Sequence, residues 1–170
     1  MTAVRSQAML QRVGQGFDVH PFDESSDQVL VLGGVPFPGM TPLKGHSDAD
    51  VIAHACTDAI LGAATLGDIG QLFPDTDPTV AGADSLQLLA SATTRLVDAG
   101  WTVTNVDCTV ICDEPKIAPH RDEMQRNLSN VVNAPVSVKG KRTEGVAGLG
   151  DGIRCHAIAM IHRITEGDPS

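Results

Sequence analysis

The order of periodicities along this chain predicts an α/β fold of the α+β type, with one mixed sheet carrying helices packed on one side. Three observations predict it. Strand-like and helix-like stretches are interspersed without the strict βαβ alternation of a doubly wound sheet. Residues 48–64 and 85–99 repeat their apolar side chains at helical spacing, whereas residues 101–114 alternate, with Val106, Cys108, Val110 and Cys112 on one face. The last stretch, residues 152–164, is apolar on both faces, with Ile153, Cys155, Ala157, Ala159 and Ile161 opposed to Ile158 and Met160. One face suits helices and the other suits a second subunit, so an oligomer is expected.

Taken in order, residues 11–17 read as a first strand ending at the pair Asp18 and His20. Residues 23–28 form a polar turn, and 29–39 contain a second strand, stopped by Gly and Pro, that reads as a hairpin arm. Ser47 reads as the N-cap of the first helix, with Asp50 three residues later in an acidic form of the capping box. Ile52, Cys56, Ala59, Ile60 and Ala63 mark its apolar stripe, and its alanines suit close packing. His54 and Asp58 stand one turn apart beside that stripe, so Asp58 either steadies the His54 ring or faces water. Residues 66–84 are rich in Gly, Pro and Asp and too long for an idle connection. Gly100 ends the second helix, Pro115 ends the strand that follows, and Pro119 opens a third helix over 119–130. Residues 134–141 and 152–164 complete the strands.

At 170 residues the chain reads as one domain over 12–164, with loose tails at 1–11 and 165–170. A hydrophobic content of 42% excludes general disorder. A net charge of −9 argues against a nucleic acid or a membrane surface as partner. It also repels phosphates, so a phosphate substrate needs local cations or backbone amides to override the global field. The four cysteines show no CxxC spacing and read as reduced core thiols. The N-terminal residues lack the apolar run of a signal peptide, and a cytoplasmic protein is expected.

Asp18 and His20 share a face in an extended segment, and His54 lies one turn into the first helix. Two imidazoles and a carboxylate with a vacant position form the ligand set of a catalytic zinc, although spacing alone leaves open whether the three converge. His46 and Ser47, near the helix N-terminus, read either as phosphate partners or as loop residues beside a cap. Asp68, Gly70, Asp75 and Asp77 are either partners for polyol hydroxyls or turn-forming acids. Residues 112–118, a strand end turning through Pro115, have backbone groups suited to a flat base, with Lys116 for charge. Residues 139–145 form the basic cluster of an acidic chain. They suit a diphosphate, with Glu144 reaching a hard cation such as Mg²⁺, or an ordinary solvated loop.

The stretches GFDVHPF (16–22), HSDADVIAHACTDAILGAATLGDIGQLFPDTDP (46–78), GADS (82–85), NVDCTVI (105–111) and EPKIAPH (114–120) together closely resemble the 2-C-methyl-D-erythritol 2,4-cyclodiphosphate synthase family of the non-mevalonate isoprenoid route. The resemblance implies a homotrimer with active sites between subunits. It implies a reaction in which the 2-phosphate of 4-diphosphocytidyl-2-C-methyl-D-erythritol 2-phosphate closes on the β-phosphorus and expels CMP. On the matching positions it makes Asp18, His20 and His54 the Zn²⁺ ligands, with Asp18 and His20 also facing the substrate, and puts His46 and Ser47 on phosphate. Asp68, Ile69, Gly70, Phe73, Asp75, Thr76 and Asp77 take the methylerythritol part. Cys112, Pro115, Lys116, Ile117 and Ala118 form the cytosine pocket, supplied by a neighbouring subunit. Lys141, Thr143 and Glu144 meet the diphosphate, with Glu144 on Mg²⁺ or Mn²⁺, and the catalytic work falls on His46 and Arg142. The chain departs from the pattern in having Lys141 and Arg142 where hydroxyl residues are usual. Its segment 145–152 is short and lacks the Phe and Arg associated with the trimer axis, with Asp151 near the place of a family Glu. Two rival readings share these residues: a zinc-dependent nucleotide-diphosphate hydrolase, and a weakened isoprenoid- or nucleotide-binding homologue.

Overall fold

Alternation along a long first strand puts Gly14, Gly16, Asp18 and His20 on one face and Val13, Gln15, Phe17 and Val19 on the other. The computed structural model describes residues 7–166 apart from 75, 78, 79 and 81. In it this strand, β1, runs Gln7–Pro21 and passes through Asp18 and His20 rather than stopping before them. Its early start follows from pairing: Gln7 lies opposite Glu166, and the antiparallel ladder continues to Pro21 opposite Gly152.

The partner strand, β6 (Gly152–Glu166), also pairs antiparallel with β4 (Thr102–Ile111), which in turn pairs parallel with β5 (Val136–Lys141). The mixed sheet therefore has the order β1-β6-β4-β5. Ile153, Cys155, Ala157, Ala159 and Ile161 of β6 are fully buried on the helix side. The opposite face leaves Val13, Phe17, Val19, Ile158 and Ile164 exposed.

Helix α1 (Val51–Ala64) lies across the covered face, with twelve of its fourteen residues buried. Helix α3 (Ser85–Asp98) packs beside it, and α4 (Arg121–Val132) packs against α3 and β5. A four-residue helix, α2 (Ile69–Leu72), breaks the long connection. A 3₁₀ turn at Ala118–His120 precedes α4, so the third helix begins after Pro119. All four cysteines are buried and free.

The close approach of α1 to β1 is set by two missing side chains. A Cβ on Gly16 would lie 1.9 Å from the Ala55 carbonyl oxygen, and one on Gly14 would lie 2.1 Å from that of Ala59. Helix backbone thus rests directly on strand backbone, and the alanines of α1 fill the little space that remains.

Two expectations are corrected here. The segment 29–39 is a complete hairpin, β2 (Leu30–Leu32) and β3 (Val35–Phe37), turning through Gly33 and Gly34, both at positive φ. The N-cap of α1 is Asp50, not Ser47. Asp50 Oδ1 accepts from Ile52 N and Ala53 N, and the same buried carboxyl accepts from Gly33 N at 2.9 Å and Gly34 N at 2.7 Å. One side chain therefore closes the helix end and the hairpin turn together. Ala49, in the left-handed region at φ 55°, breaks the chain out of helical geometry just before it.

Gly16→Ala is expected to push α1 off the sheet and to lower the unfolding free energy by roughly 1–3 kcal/mol or more. Urea titration checks this, and an unchanged midpoint would contradict direct contact between helix and strand.

Candidate metal centre and substrate clefts

His54 is the fourth residue of α1, and the glycine contact lowers it onto the last third of β1. Asp18 Oδ2 lies 3.1 Å from His20 Nε2 and 3.0 Å from His54 Nδ1. The ligand atoms of the three residues all fall within 4.8 Å of one another, and no other group of His, Cys, Asp or Glu among the described residues does so. Each imidazole also anchors its second nitrogen. His20 Nδ1 donates to the Lys44 carbonyl at 2.5 Å, and His54 Nε2 faces Ser47 Oγ at 3.0 Å and Ser85 Oγ at 2.8 Å. One nitrogen turned inward and the other held from outside is the arrangement of metal-ligating histidines. A carboxylate and two imidazoles suit a divalent transition-metal ion.

The trio opens into a cleft of about 270 Å³ that is also lined by Gly45, His46, Ser47, Ile69, Val80 and Leu88. His46 is exposed at its rim, whereas Ser47 is buried beneath it. The amides at the start of α1 are not open to an anion, because Asp50 occupies those of Ile52 and Ala53. Asp58 neither steadies His54 nor simply faces water: its Oδ1 accepts from Ile69 N at 2.8 Å and ties α1 to α2. Asp68 caps α2, accepting from Gln71 N at 2.8 Å. Of the expected loop contacts, Ile69 lines the metal cleft, and Asp68, Gly70, Phe73, Thr76 and Asp77 lie outside its lining. Asp75 falls outside the described residues.

A second cleft, of about 170 Å³, forms where β4 ends, the 3₁₀ turn begins and β5 finishes. Cys112, Pro115, Lys116, Ile117 and Ala118 line it together with Asp113, Arg121, Gly140, Lys141 and Arg142. Gly140 lets Ile117 pack against β5, since a Cβ there would meet the Ile117 Cβ at 2.9 Å. Burial, reinforced by the charges of Asp113 and Glu114, pushes the Cys112 thiol up to about 11, so it stays protonated at neutral pH. Thr143 is committed to Asp113, donating through N at 3.1 Å and through Oγ1 at 2.5 Å. Lys139 pairs with Asp107 at 2.5 Å and is absent from the cleft lining. Glu144 is exposed at φ 52°. No residue lines both clefts.

The sequence pattern of the YgbB family matches residues 11–162. The chain belongs to that family. The 2-C-methyl-D-erythritol 2,4-cyclodiphosphate synthase of Azoarcus sp. (strain BH72) is 51% identical to it over 157 residues, which is 89% of this chain and 96% of the relative. The solved structure of a synthase of that name in a CDP-bound form matches with a TM-score of 0.78 at 36% identity, over 88% of this chain and 99% of the other. The bifunctional IspDF of Campylobacter jejuni matches with a TM-score of 0.84 at 37% identity, over 92% of this chain and 43% of that longer one.

In this YgbB-family chain, sequence reasoning missed three residues at the two sites, Ser85, Asp48 and Arg121. Ser85 and Asp48 stand behind His54, while Arg121 joins the 112–118 segment in lining the second cleft. Ser85 reads in sequence as an ordinary helix opener after Asp84, and only the fold brings it to the imidazole. For Arg121, a position three residues beyond Ala118 at a helix start was the one available signal.

Burial disfavours charge on His20, yet its hydrogen bond to Asp18, the Asp18 charge and the Lys44 carbonyl outweigh that and raise its pKa above 6.5. Burial likewise penalises the Asp18 carboxylate, but hydrogen bonds from His20 and His54 and their charges hold its pKa well below the usual carboxylate range. The His20 contribution to stability is complete below pH 6.5 and is lost as pH rises through the raised value. The Asp18 contribution is present above 3.8 and is lost as pH falls through the depressed value. Metal-stripped protein is therefore expected to melt above its Asp18→Asn variant by a margin that is largest between about pH 4 and 6.5 and shrinks above neutrality. Melting curves of chelator-treated protein test this, and a margin that grows toward pH 9 would contradict it.

Proposed function

We propose that this chain converts 4-diphosphocytidyl-2-C-methyl-D-erythritol 2-phosphate to 2-C-methyl-D-erythritol 2,4-cyclodiphosphate and CMP, as a phosphorus–oxygen lyase of isoprenoid biosynthesis. The observation that carries the proposal is the convergence of Asp18, His20 and His54 in a chain 51% identical to a synthase of that name. An oxygen of the 2-phosphate bonds to the β-phosphorus as the bond from β-phosphorus to the α-phosphate oxygen breaks. CMP leaves, and no water is consumed. No protein nucleophile is required, so the chain's task is to fold the substrate back on itself and to balance its charge. Positioning of this kind supplies about 7–11 kcal/mol of a barrier.

Asp18, His20 and His54 would hold Zn²⁺, which supplies a fixed positive charge for phosphate oxygens when bound. His46 at the rim and Ser47 beneath it orient the phosphate by side chain, since the helix amides are occupied by Asp50. Ile69 walls the metal cleft beside the methylerythritol loop, which includes Asp68, Gly70, Phe73, Asp75, Thr76 and Asp77. Cys112, Pro115, Ile117 and Ala118 receive the cytosine, and Lys116, Lys141 and Arg142 bring positive charge to the diphosphate. Glu144 offers a carboxylate to a second divalent cation, Mg²⁺ or Mn²⁺, whose other ligands would come from the substrate. Thr143 acts through Asp113, holding the loop in place.

Residues 12–164 would act as one catalytic unit in a homotrimer whose active sites lie between subunits. The solvent-open apolar face of β1 and β6 supports that assembly, as does the separation of the metal cleft from the base cleft. A cytoplasmic location accords with the reading. No helix among the described residues is long and apolar enough to cross a membrane.

Phosphorus-31 NMR of purified protein with the cytidylyl substrate and Mg²⁺ is expected to show a cyclic diphosphate and CMP. Inorganic phosphate or a linear bisphosphate would instead make the protein a hydrolase, and binding without turnover would make it a sensor. His54→Ala is expected to lose metal and turnover while the oligomer stays assembled, as read by metal analysis and light scattering. Arg142→Thr is expected to keep activity similar or raise it, and complete loss would show that this chain clamps the diphosphate in a different way.

A further inference from the structure

Behind the metal centre lies a chain of hydrogen bonds that the proposed chemistry does not itself require. Ser85, the first residue of α3, is fully buried. Its backbone N–H donates to Asp48 Oδ2 at 3.1 Å, and its hydroxyl donates to Asp48 Oδ1. Asp48 is held in turn, because its Oδ1 accepts from Asp50 N at 3.2 Å and its own N–H donates to the Ala83 carbonyl at 3.1 Å.

A hydroxyl carries one proton and two lone pairs. With the Ser85 proton committed to a carboxylate, only a lone pair remains for His54 Nε2, 2.8 Å away. Ser47 Oγ, 3.0 Å from the same nitrogen, accepts from Ala49 N at 3.2 Å and lies 3.3 Å from Ser85 Oγ, to which it can give its own proton. Both serines are buried, so water does not compete for the ring. In that arrangement Nε2–H points at the Ser85 lone pair, and Nδ1, 3.0 Å from Asp18 Oδ2, is the nitrogen on the side where Asp18 and His20 would share an ion.

Resting on the reading that Asp18, His20 and His54 hold a divalent metal, we infer that Ser85 and Asp48 are positioning residues for that centre. Asp48 orients the Ser85 hydroxyl, and the Ser85 lone pair receives Nε2–H. His54 is thereby fixed in the tautomer and ring orientation that aim Nδ1 at the ion. The arrangement carries the carboxylate–histidine device one atom group further, with a serine between carboxylate and ring. It also joins the metal to the start of α3, an element that contributes no ligand.

The test is zinc affinity, measured on chelator-stripped full-length protein by competition with a colorimetric zinc chelator. Ser85→Ala is expected to weaken zinc binding about 10–100-fold, the usual effect of removing an outer partner of a ligating histidine. Melting of the metal-free variant is expected to stay close to that of the metal-free wild type. A purely structural role would lower that melting temperature and leave the affinity alone. Asp48→Asn keeps the serine hydroxyl but offers one acceptor where Ser85 presents two donors, so a smaller loss of affinity is expected.

Nitrogen-15 NMR of histidine-labelled, zinc-loaded wild type gives a readout that needs no variant. It is expected to show His54 bound through Nδ1 with a slowly exchanging Nε2–H. Unchanged affinity in both variants, or zinc on Nε2, would overturn the inference. Failure of the underlying metal reading looks different: wild type would bind no zinc, or His54→Ala would bind it as tightly as wild type.

Discussion

Contact between the backbone of α1 and the backbone of β1 is the constraint on which the rest of this molecule depends. Gly14 and Gly16 leave the strand bare on one face, and Ala55, Ala59 and Ala63 answer them from the helix. At any larger separation His54 would stand away from Asp18, and the three-residue cluster would have no common centre. Two residues further along the same strand face, the side chains return as Asp18 and then His20. The strand thus changes from a packing surface into a ligand surface without any change in its geometry. Such a design leaves little room to relax, because backbone atoms, unlike side chains, have no alternative rotamers.

Asp50 is the second fixed point. Four amide donors from two separate turns converge on it, so the N-terminus of α1 cannot fray independently of the β2–β3 hairpin. The same arrangement has a chemical consequence. The positive end of the helix is used internally, and an anionic ligand must be met by side chains and by metal instead. In a chain of net charge −9 this matters, because the positive groups available are few and local. Lys116, Arg121, Lys141 and Arg142 border the second cleft. The exposed acids elsewhere are screened over about 8–10 Å at ordinary ionic strength, so these near groups dominate what a phosphate feels.

Much was legible in the chain itself. The alternation of Val106, Cys108 and Val110 marked β4, and the alanines of residues 53–64 marked a helix made for close packing. The pair Asp18 and His20 announced a shared face, because side chains two apart on a strand point the same way. Where the reading went astray, the cause was a competing interaction from a distant segment. Ser47 looked like a cap by local rule, yet the hairpin amides draw Asp50 into that role and release Ser47 toward His54. Asp58 reads as steadying the ring one turn away or facing water, but it accepts from the amide of Ile69 instead.

The residues by themselves determined the ligand types, the strand and helix periods, and the family resemblance, because each of these is a property of neighbours along the chain. Only the tertiary structure decided that Asp18, His20 and His54 meet, which nitrogen of each ring faces inward, and that Ser85 stands behind one of them. Those facts depend on the distance between two backbones separated by some forty residues of chain. A contact of that kind is set by which side chains are absent from the interface, and no pattern of nearest neighbours encodes it.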